Sequence, residues 1–174
     1  MEMESKEHTG VEMTSEDFRA GKYFVFPYSA RFRYSWDTGE AVSRFLAELK
    51  NGKIIARKCK SCGRTLIPPR MFCERDFVPT DEWVYVKDTG TVKTYSISYL
   101  AADASRLREP IVVAVVDIDG ASDGMGMLHI LKGVSKDQIR IGMRVKAVWK
   151  PKAKRRGAIT DIDHFEPLRR GEVR

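Results

Sequence analysis

Hydrophobic and polar positions divide the chain into a short helical part and a longer β-rich part. Ala41, Phe45 and Leu49 recur four residues apart, a spacing that places side chains on one face of a helix. The pattern predicts a helix over residues 40–50, ended by Asn51-Gly52. Its apolar face either packs on its own domain or clasps another subunit.

Polar residues suited to cap a helix precede two segments. Asp37 or Thr38 stands before the helix just described, and Thr14 or Ser15 is placed to cap a short helix through Phe18. We therefore expect two N-terminal helices. The aromatic residues between positions 23 and 36 lie between them, and such a dense cluster either packs on the rest of the chain or docks on a partner.

After residue 53 the pattern changes to short β-forming runs separated by turn signals. The predicted strands are Trp83–Lys87, Thr91–Tyr99, Ile111–Ile118, Met125–Leu131, Met143–Lys150 and Ala158–Phe165. One helical turn, Ser135–Ile139, is expected before the last two strands. This arrangement predicts a small closed β-barrel of the OB type. An SH3-like barrel is the alternative, although it would not need the helical turn.

Three cysteines and one aspartate have the spacing of a metal site. The sequence Cys59-Lys-Ser-Cys62-Gly63 is followed ten residues later by Cys73-Glu-Arg-Asp76. Two such knuckles facing each other provide the four ligands of tetrahedral zinc, with aspartate in the place of a fourth cysteine. Gly63 suits the left-handed turn that closes a knuckle. We expect a structural zinc ion, because Asp76 closes the position that a catalytic zinc keeps open.

Two alternatives to this ligand set stay open. The ribbon could be held by packing alone, with three free thiols, or His129 or His164 could replace Asp76 as a ligand. Both histidines are far from the knuckles in the sequence. An odd number of cysteines argues against a disulfide framework in either case.

The predicted class is α+β, with four parts along the chain. A helical docking segment (1–53) precedes a zinc ribbon (54–82), an OB-fold barrel (83–168) and a basic tail (169–174). No run approaches the roughly 18 apolar residues of a membrane helix. The acidic N-terminus lacks the basic and apolar start of a secretory signal, so a cytoplasmic protein is expected.

Charge adds a candidate surface for an anionic partner. The chain has 31 basic and 24 acidic residues. Seven basic and no acidic residues lie between Arg144 and Arg156. This run is either a strand edge protected by lysines or a surface for phosphate groups. The sequence contains no P-loop or H-E-x-x-H motif. Residues 120–124 have the G-x-S-x-G spacing, but this glycine cluster is predicted to form a hairpin, because no helix pattern follows it as a nucleophile elbow requires. We therefore expect a non-catalytic module.

Five segments together resemble one large prokaryotic family, over roughly residues 34–167. They are EAVSRFLAELKNGKI, RKCKSCGRTLIPPRMFC, DTGTVKTYSIS, PIVVAVVDIDG and IGMRVKAVW. Members of this family join a rubredoxin-like zinc ribbon to an OB-fold domain and are associated with acyl-CoA thiolases. The resemblance implies a subunit that bridges thiolase-type enzymes or helps to hold CoA, in some members for lipid or polyketide synthesis. Asp76 departs from the family pattern, in which many members have a fourth cysteine.

Three functions are compatible with these observations. The first is an accessory subunit of an acyl-CoA-processing complex, with Lys146, Lys150 and Lys152 facing the phosphates of acyl-CoA. The second is a single-stranded nucleic-acid binder, against which the aromatic-free segment Ile111–Leu131 counts, because OB folds stack bases on such strands. The third is a structural bridge without any small-molecule ligand.

Overall fold

The chain forms two compact units in a computed structural model that describes residues 12–24, 26 and 28–169. The first unit ends at Trp36 and the second begins at Asp37. In the first unit, helix α1 (Ser15–Arg19) begins after Thr14, whose hydroxyl accepts a hydrogen bond from the N–H of Asp17. Asp17 in turn accepts one from the N–H of Thr14, which completes a capping box. The predicted short helix is confirmed.

The described residues of the second unit form one long helix and ten strands. Helix α2 spans Gly39–Lys50. The strands are β1 (Ile54–Lys58), β2 (Thr65–Leu66), β3 (Phe72–Cys73), β4 (Val78–Pro79), β5 (Glu82–Val86), β6 (Thr89–Leu100), β7 (Arg106–Ile118), β8 (Gly126–Ile130), β9 (Arg144–Trp149) and β10 (Ile162–Pro167). The predicted helical turn is present as a short 3₁₀ helix, Lys136–Gln138. No helix among the described residues is long and apolar enough to span a bilayer.

Helix α2 packs on the second unit with the face that the sequence predicts. Ala41, Phe45 and Leu49 are all buried. At its start, the carboxylate of Asp37 accepts a hydrogen bond from the N–H of Gly39. Because the first unit ends before this helix, α2 belongs with the zinc ribbon rather than with the aromatic segment.

Strand β1 is the central strand of a three-stranded antiparallel sheet with the order β2-β1-β5. It pairs with β5 along its whole length, from Ile54 opposite Val86 to Lys58 opposite Glu82. Its first three residues are almost completely buried. The strand therefore joins helix α2 to the ribbon, and its partner β5 continues into the larger sheet.

Five antiparallel strands in the order β10-β9-β6-β7-β8 form the second sheet. This order is that of an OB fold. Its two outer strands approach each other only at an isolated parallel bridge between Leu131 and Phe165. Because the described strands meet there at one bridge rather than along a ladder, a closed barrel stays a prediction. One hydrophobic core includes Leu49 of α2, Ile55 of β1 and Val116 of β7.

The β6–β7 hairpin is longer than the sequence predicts. Strand β7 begins at Arg106 rather than Ile111. Its neighbours are shorter than the hairpin: β9 pairs with β6 only from Thr89 to Thr91, and β8 pairs with β7 only from Val113 onward. Among the described strands, the part of the hairpin from residue 98 to residue 111 is therefore a two-stranded arm, since the carbonyl of Val112 still accepts a hydrogen bond from the N–H of Leu131. Alternation alone does not reveal it, because Pro110 interrupts the run.

The last strand begins four residues later than predicted, at Ile162 instead of Ala158. The residues before it form a turn around the carboxylate of Asp161, which accepts hydrogen bonds from the N–H groups of Arg156, Gly157 and Ala158. These bonds hold the backbone in a turn, so that an extended strand cannot start there.

Candidate metal centre

The first knuckle follows directly from the end of strand β1. The N–H of Gly63 donates to the carbonyl of Cys59 at 2.8 Å, and the N–H of Cys59 donates to the carbonyl of Arg64 at 2.9 Å. Gly63 has φ of 74°, a left-handed conformation that glycine adopts without steric cost. The turn brings Cys59 and Cys62 to the same side of the loop, as predicted.

The second knuckle repeats this backbone with different residues. The N–H of Phe77 donates to the carbonyl of Cys73 at 2.9 Å, and Phe77 has φ of 56°. A bulky residue rarely adopts this conformation, and the ring is exposed, so its own packing contributes little to hold it there. Asp76 therefore occupies the position that corresponds to Cys62. No glycine marks this turn in the sequence.

The four donor atoms lie within 4.8 Å of one another. Asp76 Oδ2 is 3.3 Å from Cys59 Sγ and 3.7 Å from Cys73 Sγ, and Cys62 Sγ is 3.7 Å from Cys73 Sγ. A tetrahedral zinc with ordinary Zn–S and Zn–O distances has ligand–ligand edges of about 3.8 Å between sulfurs and about 3.5 Å between sulfur and oxygen. The observed separations fit those edges, so the residues are arranged to hold zinc.

Hydrogen bonds between the candidate ligands shift their pKa values in opposite directions. The carboxylate of Asp76 accepts from Cys62 and Cys59, which lowers the pKa of Asp76. The hydrogen bond between Cys62 and Asp76 is also the main reason why the pKa of Cys62 is raised to about 12. Burial raises the pKa of Cys73, but hydrogen bonds from the N–H groups of Asp76 and Arg75 lower it. Their combined effect is the larger one, so the pKa of Cys73 lies below the ordinary value of a thiol. A divalent cation is what allows all three thiolates and the carboxylate to be charged together.

Two arginines beside the site are paired with Glu74. Arg64 contacts Glu74 at 2.8 Å and Arg70 contacts it at 3.1 Å. Both guanidinium groups also lie near the sulfur of Met125. These positive charges lie next to a site that carries a net negative charge when zinc is bound to three thiolates and one carboxylate.

Arg57 is also close to the ribbon but has a structural role. It is buried, and its guanidinium donates to the side chain and the carbonyl of Thr80. It stacks on one face of Trp83 at 4.6 Å, and Arg44 of α2 stacks on the same ring at 4.4 Å. Helix, ribbon and sheet therefore meet at this tryptophan.

The two histidines considered as substitute ligands lie elsewhere. Nε2 of His129 contacts the carbonyl of Ile159 at 3.3 Å, and Nδ1 of His164 contacts Asp163 at 2.7 Å. Among the described residues, the metal-site cluster contains only the three cysteines and Asp76. The substitution of a histidine for Asp76 in the ligand set is therefore wrong.

The three lysines predicted to face CoA phosphates do not all line one cavity. Lys150 lines a cavity of about 490 Å³ in the β9–β10 loop, whereas Lys152 does not line it. Lys146 lies on β9 with its Nζ 3.7 Å from Glu166. The cavity instead includes Lys154 and Arg156, two members of the basic run that sequence reasoning did not select.

Two knuckles with a Cys₃Asp ligand set, joined through a shared core to an OB-type sheet, define a zinc-ribbon and OB-fold protein. Two family descriptions match successive parts of the chain. Residues 46–82 match the rubredoxin-like zinc ribbon domain of ChsH2, and residues 83–150 match the C-terminal OB-fold domain of ChsH2. The chain belongs to the DUF35 family, which confirms the resemblance described from the sequence.

Three relatives show the extent of the similarity. A DUF35-family protein of unknown function from Sulfolobus solfataricus, solved by crystallography, is 32% identical with a TM-score of 0.55, over 64% of this chain and 79% of that one. A "DUF35 domain-containing scaffold protein" from Methanocaldococcus jannaschii is 28% identical over 98 residues, which are 56% of this chain and 67% of that protein. A solved structure described as "Ltp2-ChsH2(DUF35) aldolase" is 21% identical with a TM-score of 0.54, over 78% of this chain and 98% of that one, and shows the fold alone.

Proposed function

We propose that this protein is a non-catalytic accessory subunit that bridges enzymes in an acyl-CoA-processing complex, with a thiolase-type enzyme as its main partner. Two relatives support the proposal. One is described as a scaffold protein, and the other as an "Ltp2-ChsH2(DUF35) aldolase", a description in which a DUF35 protein stands beside Ltp2. The Cys₃Asp site fits a structural role, since its four positions are all supplied by the protein.

The observation that carries the proposal is the exposed aromatic segment of the first unit. Its six exposed aromatic side chains have 73–97% of their surface accessible. Monomeric proteins rarely expose apolar patches of this size without a partner. A docking surface for another protein is the function that explains these side chains best.

Native co-purification from source cells, before and after nuclease treatment and with identification by mass spectrometry, tests the proposal. We expect a thiolase-type enzyme at near-stoichiometric yield. Recovery of nucleic-acid-processing proteins alone, and only before nuclease treatment, would refute the bridging role.

CoA itself is the proposed small-molecule ligand. The cavity beside Lys150 supports this, because Lys154 and Arg156 add two cations that have no acidic partner within the described part of the chain. Phosphate groups pair well with such cations. The hydrogen bonds to Asp161 hold the loop that carries them.

Calorimetric titration with CoA tests the predicted lysines. We expect the combined substitution of Lys146, Lys150 and Lys152 by alanine to raise Kd by at least about tenfold, the equivalent of one lost charge-assisted contact. Lys136→Ala, on the exposed 3₁₀ turn, is the control for loss of a lysine elsewhere. An unchanged Kd in the triple variant would exclude these residues.

Single-stranded nucleic-acid binding is the second candidate, because two aromatic residues are exposed on strand β6. Tyr95 and Tyr99 are accessible there, and the loop at the end of this hairpin belongs to the binding face of many OB folds. Fluorescence anisotropy with labelled oligonucleotides tests it. Binding that Tyr95→Ala and Tyr99→Ala weaken would favour this function over the first.

A further inference from the structure

Aromatic residues of the first unit follow a two-residue period. They occupy six of the seven even-numbered positions from 24 to 36: Phe24, Phe26, Tyr28, Phe32, Tyr34 and Trp36. The odd-numbered positions between them hold no aromatic residue, and Ala30 fills the remaining even position. A period of two places side chains on one face of an extended strand. On a helix the same residues would be spread over opposite faces.

Contacts in the structure agree with an extended chain. The rings of Tyr34 and Trp36 meet edge to face, with centroids 5.7 Å apart, so side chains two positions apart lie on the same side of the backbone. No helix or strand forms among the described residues from 20 to 38. Tyr23, immediately before the series, differs from it, because its hydroxyl donates to the carbonyl of Glu12 and the side chain is partly buried.

The exposed area is sufficient for a specific interface. Six aromatic side chains at this exposure offer about 1,000 Å² of surface, compared with about 800 Å² per partner in a typical stable complex. Arg31 and Arg33 occupy odd positions between them and have no ion pair within the described residues. The segment therefore combines one aromatic face with unpaired positive charge.

We propose that residues 24–36 dock as an extended strand on the acyl-CoA enzyme, with the even-numbered aromatic side chains in an apolar groove and Arg31 and Arg33 facing carboxylates at its rim. This inference rests on the proposed function and adds the binding mode. An extended segment of this length spans about 40 Å. It recognises its partner through alternate side chains, as strands added to a sheet edge do.

Variants of the full-length chain test the alternation. In the register variant Phe32→Arg, Arg33→Phe, Tyr34→Ser and Ser35→Tyr, composition and charge are unchanged but two aromatic residues move to the odd face. The comparison variant Phe32→Ser and Tyr34→Ser removes the two rings. The control Ser29→Ala and Ser35→Ala changes only odd positions. Affinity for the co-purified enzyme is measured by biolayer interferometry, and thermal unfolding checks that each variant folds.

We expect both the register variant and the ring-removal variant to raise Kd by at least about tenfold, and the control to bind like the wild type. A register variant with wild-type affinity would overturn the strand mode while the bridging role stands. Wild-type affinity in the ring-removal variant would overturn the docking role of these residues. Failure of the wild type to retain any acyl-CoA enzyme would overturn the proposed function together with this inference.

Vesicles provide a further arm of the test. The full chain is mixed with vesicles of phosphatidylcholine and phosphatidylglycerol in the absence of enzyme. We expect no binding that depends on the rings. Sedimentation of the wild type, but not of the ring-removal variant, would assign the segment to a membrane surface and overturn the proposal.

Discussion

Asp76 supplies the one oxygen donor of the candidate zinc site, and its replacement tests the ligand set directly. Structural zinc contributes about 10–16 kcal/mol to folding in small zinc domains. If four donors share this free energy equally, one donor accounts for about 3 kcal/mol, which corresponds to about a 100-fold change in Kd. We expect Asp76→Ala to weaken zinc binding by this factor.

Asp76→Cys is expected to have the opposite effect. The backbone at Phe77 repeats that at Gly63, so a cysteine at position 76 would present its sulfur as Cys62 does. Zinc binds readily to four thiolates in such ribbons. The affinity of this variant should therefore be at least that of the wild type.

The assay is competition for zinc with a chromophoric chelator, together with metal content after gel filtration. Glu74→Ala is the matched control, because it removes a neighbouring carboxylate that pairs with Arg64 and Arg70 rather than contributing to the cluster. If Asp76→Ala and Glu74→Ala bind zinc equally well, Asp76 is not a ligand and the arrangement deduced from the 3.3 and 3.7 Å separations is incorrect.

Three further predictions concern stability. Phe77→Gly should raise the free energy of unfolding in urea by about 0.5–1 kcal/mol, because relief of the left-handed strain exceeds the entropy cost of glycine. Gly63→Ala should lower it by about 1 kcal/mol, because alanine is strained in the left-handed conformation, even though no atom would contact the added Cβ. Asp161→Asn should cost about 2 kcal/mol in the same assay, since charge-assisted bonds to three N–H groups are weakened; a value near zero would contradict the role of this turn. The hydrogen bond from Arg144 lowers the pKa of Asp119 in the folded protein below its unfolded value, so the stabilisation from this pair is complete above about pH 5 and is lost as the pH falls below about 4. Asp119→Asn should therefore make the free energy of unfolding fall less steeply in this acidic range. A decrease as steep as that of the wild type would count against the pair.

The sequence predicts most elements of the fold because local chemistry determines them. Helix α2 was predictable from three apolar residues at helical spacing, all of which are buried. The first knuckle was predictable from its two cysteines and the glycine that follows. Asp76 could be placed in the ligand set only by its spacing, because the second knuckle has the backbone of the first without its glycine.

Other features depend on contacts between distant residues. The late start of β10 follows from hydrogen bonds to Asp161, and a run of β-forming residues conceals that turn. The cavity in the β9–β10 loop selects Lys154 and Arg156 rather than Lys152. The sequence alone does not show which basic residues of a loop line the same cavity, because the fold determines where each side chain lies.

The two-stranded arm gives the β6–β7 hairpin an uneven resistance to hydrogen exchange. At Gly90 and Thr91, strand β6 pairs with β9 on one side and with β7 on the other. From Ser98 to Leu100, β7 is the only described strand that pairs with β6, and β8 does not extend to this part of β7. Amides in the inner ladder should exchange with solvent only through global unfolding, and those in the arm through local opening of the hairpin tip. One continuous pair of strands would then contain both the slowest and some of the fastest hydrogen-bonded amides of the protein, with the arm free to adjust its shape while the end beside the zinc ribbon stays fixed.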